Sequence, residues 1–437
     1  MKLVRLLSIL MVIAFALGFS YSPVMAQKFS YTAGIQVQNL EGSTATISLV
    51  FYKMDGSVEA TVNDTISANG SKTYFPLGVS AGFNGSAVIS SDKRVAAVVN
   101  VLGNNGAAAA SYVGSSSGNT TVSLPLLMKG NSGFDTWFNV QNVGTSTANV
   151  TITYSDGTTA NATISPNTSK TFNQATETHS QKVFSATITS NQPIVAAVIE
   201  ESSTVMFAYS GFTGGSPTPV MPLVNANNAG YITGMQIQNV GSSSTTVTVS
   251  YTPSSAGTAC QETQTIPAGG SATFALAAFA NGANSNCAAG QRFIGSARVT
   301  SNSANQPLVV VVNQLLPGRN GEAYNGFDPA NATSKVVMPL IMDRNSGYFT
   351  GFNVMNVGST STTVTCTFTG TSYSVSATLA PGQALTDIQN GKIADRYVGS
   401  GTCVASGGGK IVAVVNELGP SGTADQLLVY EGINVEN

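Results

Sequence analysis

Charged side chains are scarce in this chain of 437 residues. Asp, Glu, Lys and Arg together make up only 9% of it, whereas about a quarter is usual for a globular protein. The 18 basic and 20 acidic residues leave a net charge of −2. So small a net charge gives no reason to expect binding to nucleic acid or to an anionic membrane surface. Nucleic acid is therefore not predicted as a partner.

Residues that carry out catalysis are also scarce. The single histidine, His179, lies in the polar segment Thr176–Lys182 without a serine nucleophile elbow, so we interpret it as a solvated loop residue. The adjacent Glu200 and Glu201 would point to opposite faces of a strand, whereas a glycosidase needs two carboxyl groups in one cleft. We predict no catalytic residue, no cofactor, no metal ion and no enzymatic activity.

No apolar run in the chain reaches the length of about 18 residues that a membrane-spanning helix requires. The N-terminus instead has the pattern of a secretory signal peptide, with basic Lys2 and Arg5, an apolar core at Leu6–Phe19 and a small-residue cleavage site at Val24–Ala26. A membrane anchor is the less favoured alternative. We predict a secreted protein, extracellular or at the cell surface, with no membrane span after cleavage.

The chain is rich in Gly, Ser, Thr, Asn and Val, and these residues are arranged in four related units. Each unit contains an alternating segment that ends in Asn, then a strongly apolar run, and then a Tyr-x-Gly motif. The same order occurs four times, which indicates internal duplication. The markers are Asn39, Asn142, Asn239 and Asn356 for the first, and Tyr112, Tyr209, Tyr324 and Tyr430 for the last.

Apolar and polar residues alternate within each unit, as where Val150, Ile152 and Tyr154 alternate with threonines. This period of two predicts antiparallel strands with one buried face. The runs Val95–Val99 and Ile411–Val415 are apolar on both sides, which predicts central strands. About seven short strands per unit favour an immunoglobulin-type β-sandwich.

The predicted fold class is therefore all-β, with four tandem immunoglobulin-like modules after the signal peptide. Pro125, Pro222 and Pro339 lie in runs that we expect to be edge strands, because proline has no N–H to donate. Short polar linkers between units favour a rod or a curved string. The predicted segments are 1–26 for the signal peptide, and 27–121, 122–219, 220–335 and 336–437 for the modules.

Four cysteines lie in the second half of the chain. Cys366 and Cys403 occupy inward positions of two strands, which in an exported protein predicts a disulfide across the sandwich. Cys260 and Cys287 lie in segments that lengthen module 3, and we predict that they staple this insertion. Metal binding is the alternative, but the spacing is unlike that of a zinc site.

The sequence resembles the tandem immunoglobulin-like repeats of exported bacterial surface proteins. The resemblance rests on Leu/Met-Pro-Leu, Val-Gln-Asn-Val-Gly, Gly-Ser-Ala, Val-Ala-Val-Val-Asn and Tyr-x-Gly, and it extends over essentially the whole chain after the signal peptide. It implies a structural or adhesive role outside the cell, and it assigns no functional residue.

Module 1 lacks the proline-containing first strand that its sisters have, and an unfilled sheet edge can pair with another chain. We therefore predict self-association, head to tail, into an extracellular filament or surface lattice. The predicted assembly contacts lie at the two ends of the chain. They are Gln27, Phe29, Tyr31, Ile433 and Val435.

Trp137 is the only tryptophan, at a position where the sister modules have glycine. It could stack on a sugar or contact a neighbouring subunit, and packing against an adjacent linker is the favoured interpretation. The alternative function is accordingly that of an adhesin or carbohydrate-binding surface protein that acts as a monomer, with a glycan or another cell-envelope component as its partner.

Overall fold

The computed structural model describes residues 28–276, 285–420 and 424–436. The predicted signal peptide and the predicted contact Gln27 lie outside the described residues. Within them the secondary structure is strand, apart from two short 3-10 turns at Pro329–Asn331 and Ser406–Gly408. The all-β prediction is confirmed. No helix in the described part of the chain has the length and apolar character needed to cross a membrane.

The strands fall into four consecutive blocks, which we call modules 1 to 4. Module 1 contains β1 (Tyr31–Asn39), β2 (Ala45–Lys53), β3 (Val58–Ile66), β4 (Ser71–Tyr74), β5 (Gly85–Ser91), β6 (Val95–Gly103) and β7 (Ala108–Val113). Module 2 contains β8 (Asn119–Met128), β9 (Asp135–Asn142), β10 (Ala148–Tyr154), β11 (Thr159–Ile164), β12 (Ser169–Asn173), β13 (Val183–Glu201) and β14 (Met206–Ser210).

The remaining two blocks follow the same plan. Module 3 contains β15 (Val220–Ala226), β16 (Ile232–Asn239), β17 (Thr245–Ala256), β18 (Cys260–Ile266), β19 (Ser271–Phe274), β20 (Phe293–Ser301), β21 (Leu308–Leu316) and β22 (Asn320–Asn325). Module 4 contains β23 (Lys335–Asp343), β24 (Phe349–Asn356), β25 (Thr362–Phe368), β26 (Ser374–Leu379), β27 (Ala384–Ile388), β28 (Tyr397–Ala405), β29 (Ile411–Leu418), β30 (Leu427–Glu431) and β31 (Ile433–Val435).

Modules 1, 3 and 4 are each built from two antiparallel sheets, whereas the strands of module 2 form one seven-stranded sheet. The axial sheet has the order β4-β1-β6-β7 in module 1, β19-β16-β21-β22 in module 3 and β27-β24-β29-β30 in module 4. The flanking sheet has the order β3-β2-β5, β18-β17-β20-β15 and β26-β25-β28-β23-β31 in the same modules. In module 2 the long strand β13 pairs with β10 and β8 in one half, and with β9 and β14 in the other.

The first and second strands of a module lie in different sheets, as β15 and β16 do. The constant-type immunoglobulin order instead places the first two strands side by side in one sheet. Periodicity in the sequence indicates where strands run but not which sheet each turn leads to. The connectivity implied by the immunoglobulin resemblance therefore differs from the one observed.

The predicted periodicity is present. In β10, Val150, Ile152 and Tyr154 are buried, whereas Thr151 and Thr153 between them are exposed. The two runs that are apolar on both sides form the inner strands β6 and β29 of their axial sheets. Their outward residues are buried as well, which requires a partner outside the module.

That partner is the neighbouring module, because the four modules close into a ring. The last axial strands β7, β14, β22 and β30 each contact the next, and β30 contacts β7. The axial sheets of modules 1, 3 and 4 also cover the preceding module: Val98 joins the core of module 4, Val311 that of module 2 and Val414 that of module 3. The predicted rod is therefore wrong, since it would leave these residues in water.

One hydrogen bond recurs at all four interfaces of the ring. The serine of each Gly-Ser-Ala or equivalent motif donates its Oγ–H to the carbonyl oxygen of a turn residue in the next module. All four turn residues have a left-handed backbone, with φ between 54° and 82°. The pairs are Ser86–Asn167 at 2.6 Å, Ser185–Gly269 at 2.9 Å, Ser296–Gly382 at 2.7 Å and Ser400–Asn69 at 3.3 Å. The last pair joins module 4 to module 1.

The proline-containing runs are β8, β15 and β23. Each has a bulge that leaves its proline out of the ladder, as a residue without an N–H requires. β15 is an edge strand as predicted, whereas β23 lies between β28 and β31. The following leucine accepts a hydrogen bond from the Tyr-x-Gly tyrosine, as Leu126 does from Tyr209 and Leu340 from Tyr430. These bonds explain why the two motifs recur together.

Both predicted disulfides are present, Cys260–Cys287 and Cys366–Cys403. Cys366 and Cys403 are opposite each other on the adjacent strands β25 and β28 of one sheet. The prediction that this bond crosses the sandwich is therefore wrong, although both cysteine side chains lie fully in the core. Two inward positions can face one core from the same sheet as well as from opposite sheets.

Candidate functional site

The most unusual chemistry in the described structure is at the centre of the ring. Five carboxylate residues, four of them buried and one half-buried, lie where the last strands of the four modules meet. We call this cluster the central junction. Its members are Glu200, Glu322, Glu417, Asp425 and Glu431.

Glu200 and Glu417 occupy equivalent positions in modules 2 and 4. Glu200 accepts a hydrogen bond at 2.7 Å from Asn313 of module 3, and Glu417 accepts one at 3.0 Å from Asn100 of module 1. In module 3 the equivalent residue is the neutral Gln314, which accepts from Asn416 of module 4 at 3.4 Å. Three interfaces thus use one geometry.

The fourth interface replaces this polar pair by an apolar one. Ile199 of module 2 and Val101 of module 1 occupy the equivalent positions and pack together in one apolar cluster. An acidic, a neutral polar and an apolar pair all occupy this position, so the position has no requirement for negative charge.

Unpaired atoms indicate the protonation state of the two glutamates. One carboxyl oxygen of Glu200 and of Glu417, and the amide Oδ1 of Asn313 and of Asn100, are buried without a partner. A proton on that carboxyl oxygen would supply a donor for the asparagine; at the third interface the corresponding atoms, Gln314 Nε2 and Asn416 Oδ1, are likewise buried without a partner. Burial raises the pKa of Glu200 and of Glu417 to about 8, because desolvation disfavours the charged form.

Glu322 and Asp425 connect more than two modules each. Glu322 of module 3 accepts from the backbone N–H of Ser111 in module 1 and of Ala208 in module 2. Asp425 of module 4 accepts from Met206 of module 2 at 2.8 Å and from Gly321 of module 3 at 2.9 Å, and its own N–H bonds Ala107 of module 1. Each carboxyl therefore satisfies strand edges that its neighbours leave open.

Burial also dominates the titration of these two groups. It raises the pKa of Asp425 to about 8 and that of Glu322 well above its usual value, and the nearby Asp425 charge adds to the effect at Glu322. The backbone donors act in the opposite direction, since they favour the charged form.

The middle residue of each Tyr-x-Gly motif belongs to the same network. Ser210 donates its hydroxyl to the carbonyl of Val113 at 2.9 Å, and Asn325 donates its amide to the carbonyl of Ser210 at 2.7 Å. The N–H of Asn325 in turn donates to Glu431, whose pKa burial raises to about 7. One position of the repeat thus links all four modules in sequence.

Four of the carboxylate residues of the junction, Glu200, Glu322, Glu417 and Asp425, are at most 1% exposed, and Glu431 is half-buried. Within the described residues no group of three His, Cys, Asp or Glu side chains is placed to hold a metal ion. Sequence reasoning missed this site because it considered Glu200 only together with Glu201, as a possible catalytic pair. The recurrence of Asn, Gln or Glu at the end of four apolar strands was the available signal.

His179 is not the solvated residue that was predicted. Its side chain is fully enclosed, its Nδ1 lies 3.0 Å from Asp156 Oδ2 and 3.3 Å from Thr158 Oγ1, and its ring stacks on Phe184 at 4.1 Å between centroids. The imidazole packs under the turn after β10 because Asp156 anchors it there. The local sequence could not show this, since Asp156 and Phe184 come from two other elements.

The residues proposed for assembly are engaged within the chain. Ile433 and Val435 form β31, which pairs with β23 of the same module. Phe29 is buried in the apolar cluster between modules 1 and 2, and the hydroxyl of Tyr31 donates to Glu201 of module 2. Phe29 and Tyr31 therefore contact other parts of the same chain, whereas β31 is the last strand of its sheet, and assembly through these residues stays a prediction.

Trp137 packs on Tyr31, with ring centroids 5.6 Å apart in an edge-on arrangement. This contact joins module 2 to strand β1 of module 1, whereas the favoured interpretation placed Trp137 against an adjacent linker. A role for Trp137 in glycan binding stays a prediction.

No protein-family model matches this chain, and a search of curated proteins finds no match to it.

Proposed function

We propose that this chain is an exported, non-enzymatic structural protein of the cell surface, and that its working unit is a single closed ring of four modules. The carrying observation is the serine-to-turn hydrogen bond that recurs at every interface and joins module 4 back to module 1. Because these repeated polar contacts are made between modules of the same chain, the chain forms a compact particle.

The composition of the interfaces supports this proposal. Apolar residues in the axial sheets of modules 1, 3 and 4 complete the core of the preceding module, so separating these modules would expose them. Such interfaces resemble a domain core cut in two, which is typical of permanent contacts. A rigid particle with an exterior rich in Ser and Thr suits a structural component outside the cell, and the bacterial surface location implied by the sequence resemblance is part of the same proposal.

Negative-stain microscopy and size-exclusion chromatography of the natively exported protein test the proposal. We expect ring-shaped particles of one chain each, alone or as units of a lattice. Extended strings of four beads would overturn it.

Deleting Ile433–Glu436 distinguishes ring units from strand exchange. Because β31 pairs with β23 of its own module, we expect the deletion to lower the melting temperature and to leave the association state unchanged. If the deletion abolishes a native polymer while the ring stays folded, the result would support self-association through the C-terminal strand.

A further inference from the structure

Every module has an edge strand at one end of a sheet. These edge strands are β3, β11, β18 and β26, and each pairs along its length with only the strand before it. An edge strand has backbone N–H and C=O groups that its own sheet leaves unpaired, and another chain can pair with them. The four modules differ in how far these groups are satisfied.

Every second residue of an edge strand directs its backbone groups away from the sheet. The N–H of Tyr154 donates to the carbonyl of Thr158 at the turn before β11, and the register continues from there without a break. The next residue of β11, and every second one after it, therefore directs its N–H and C=O groups outward. These residues are Thr159, Asn161 and Thr163.

In β26 the outward residues follow from equivalence with β11. The marker asparagine donates its amide to Ile164 at the end of β11 in module 2, and to Leu379 at the end of β26 in module 4. The residues of β26 that correspond to those of β11 are Ser374, Ser376 and Thr378. The outward residues of both strands have exposed side chains, and no group in the described part of the chain bonds their outward N–H or C=O groups.

The equivalent edge of module 3 is covered. The N–H of Gln261 donates to Asn286 Oδ1 at 2.6 Å, and the N–H of Asn286 donates to the carbonyl of Gln261 at 3.0 Å. Asn286 is next to Cys287, which the disulfide joins to Cys260 in β18 itself. The stapled insertion of module 3 therefore covers part of this edge.

The edge of module 1 is protected by charge. Asp64 Oδ1 accepts the outward N–H of Thr65 at 2.8 Å, and Asp64 Oδ2 lies 2.6 Å from the Nζ of Lys72. Glu59 adds a second carboxylate to β3, and a bulge interrupts the register near the start of this strand. Charges and bulges are the usual means by which proteins prevent edge-to-edge pairing.

β11 and β26 have none of these protections. Their sequences contain no charged residue and no proline, and their registers have no bulge. Their inward apolar residues are only partly buried, so a further strand would bury them more completely. These residues are Ala160, Ala162, Val375 and Ala377.

We propose that β11 and β26 bind further copies of this chain, each by pairing with the β11 or β26 edge of another ring. Two such edges are complementary, because each offers donors and acceptors at the spacing of one strand and neither brings a charge that pairing would bury. Modules 2 and 4 are alternate members of the ring, so each copy has two separate binding edges and rings can join into an unbranched string. This inference rests on the proposed function and supplies the contacts between its ring units.

Sedimentation velocity of the natively exported chain over a range of concentrations tests this pairing. We expect the wild type to form species larger than one ring, and the double variant Asn161→Pro, Ser376→Pro to sediment as a single ring at every concentration. Proline at these positions removes an outward N–H and leaves the ladder to β10 or β25 intact. The matched control Asn63→Pro, Thr263→Pro makes the same change at the equivalent positions of the two protected edges and should associate like the wild type.

Lysine variants make the test independent of proline. The double variant Asn161→Lys, Ser376→Lys keeps every backbone donor and should likewise abolish association, because like charges would meet where two edges pair. The single variant Asn161→Pro identifies the pairing: single rings mean that β11 binds β26, and pairs of rings mean that each edge binds its own counterpart.

A wild type that stays a single ring at every concentration, or a folded lysine variant that associates like the wild type, would overturn the inference. Extended particles of one chain each would contradict the proposed function instead, because the ring itself would then be absent.

Discussion

Replacing both Glu200 and Glu417 by glutamine should remove much of the sensitivity of the ring to alkaline pH. The ring already contains this substitution at one interface, since Gln314 occupies the equivalent position and accepts from Asn416 at 3.4 Å. Glutamine keeps the size of the side chain and supplies the donor that a protonated carboxyl would supply. The double variant Glu200→Gln, Glu417→Gln should therefore fold into the same ring.

The size of the effect follows from the pKa values. An unfolded glutamate has a pKa near 4.5, and burial raises that of Glu200 and of Glu417 to about 8 in the folded chain. Between these values the folded state holds a proton that the unfolded state has lost. The stability contribution is therefore complete below about pH 4.5 and is lost as the pH rises through 8. One pKa unit corresponds to about 1.4 kcal/mol, so the free energy of unfolding falls by at most about 4 kcal/mol per group between pH 5 and 9.

Urea unfolding at pH 5, 7 and 9 measures this change. We expect the stability of the wild-type chain to fall relative to that of the double variant as pH rises, and Glu322, Asp425 and Glu431 to titrate equally in both. The converse variant Gln314→Glu introduces a third carboxyl into the same geometry and should steepen the loss. Parallel stability profiles for the three chains would refute protonation of the two glutamates in the fold.

Three further substitutions test individual contacts. Tyr430→Phe removes a buried hydroxyl that donates to Leu340, so we expect a loss of about 1–3 kcal/mol by chemical denaturation; Tyr112→Phe, in the module without a described first strand, should cost clearly less. Ser400→Ala removes the bond that joins module 4 to module 1 and should cost about 1 kcal/mol, while Thr363→Ala on the exposed face of β25 should be nearly neutral. His179→Ala removes a stacked, enclosed imidazole and should lower the free energy of unfolding by about 2–4 kcal/mol, measured by thermal unfolding. Unchanged stability would show that the contacts of the imidazole are dispensable.

Much of the repeat structure was accessible from the sequence, because local patterns encode it. The Asn that marks each unit is an example: the amide of Asn142 donates to the carbonyls of Ser146 and Ile164, and that of Asn356 to those of Thr360 and Leu379. Because this buried amide holds the turn in place, the asparagine recurs wherever the same turn recurs. Strand positions and the partners of the cysteines follow from the same regularity.

The ring was not accessible, because its contacts join residues that no local pattern relates. In the sequence, Ser86 resembles any strand residue and Asn167 any turn residue, and their hydrogen bond forms only between two modules. The outward-facing valines, such as Val98 and Val311, were the clearest signal, since a central strand explains only one of their two apolar faces. His179 was misjudged for a similar reason, as its partners Asp156 and Phe184 come from separate strands or turns.

Small-angle X-ray scattering of the exported protein tests ring closure most directly. A closed ring of this chain length should have a radius of gyration of about 22–25 Å, close to that of a compact globular protein. Four modules in a line, each with a radius of gyration of about 13 Å, would give about 40 Å. The smaller value is the one that the contacts between β30 and β7 predict, and the larger value would contradict them.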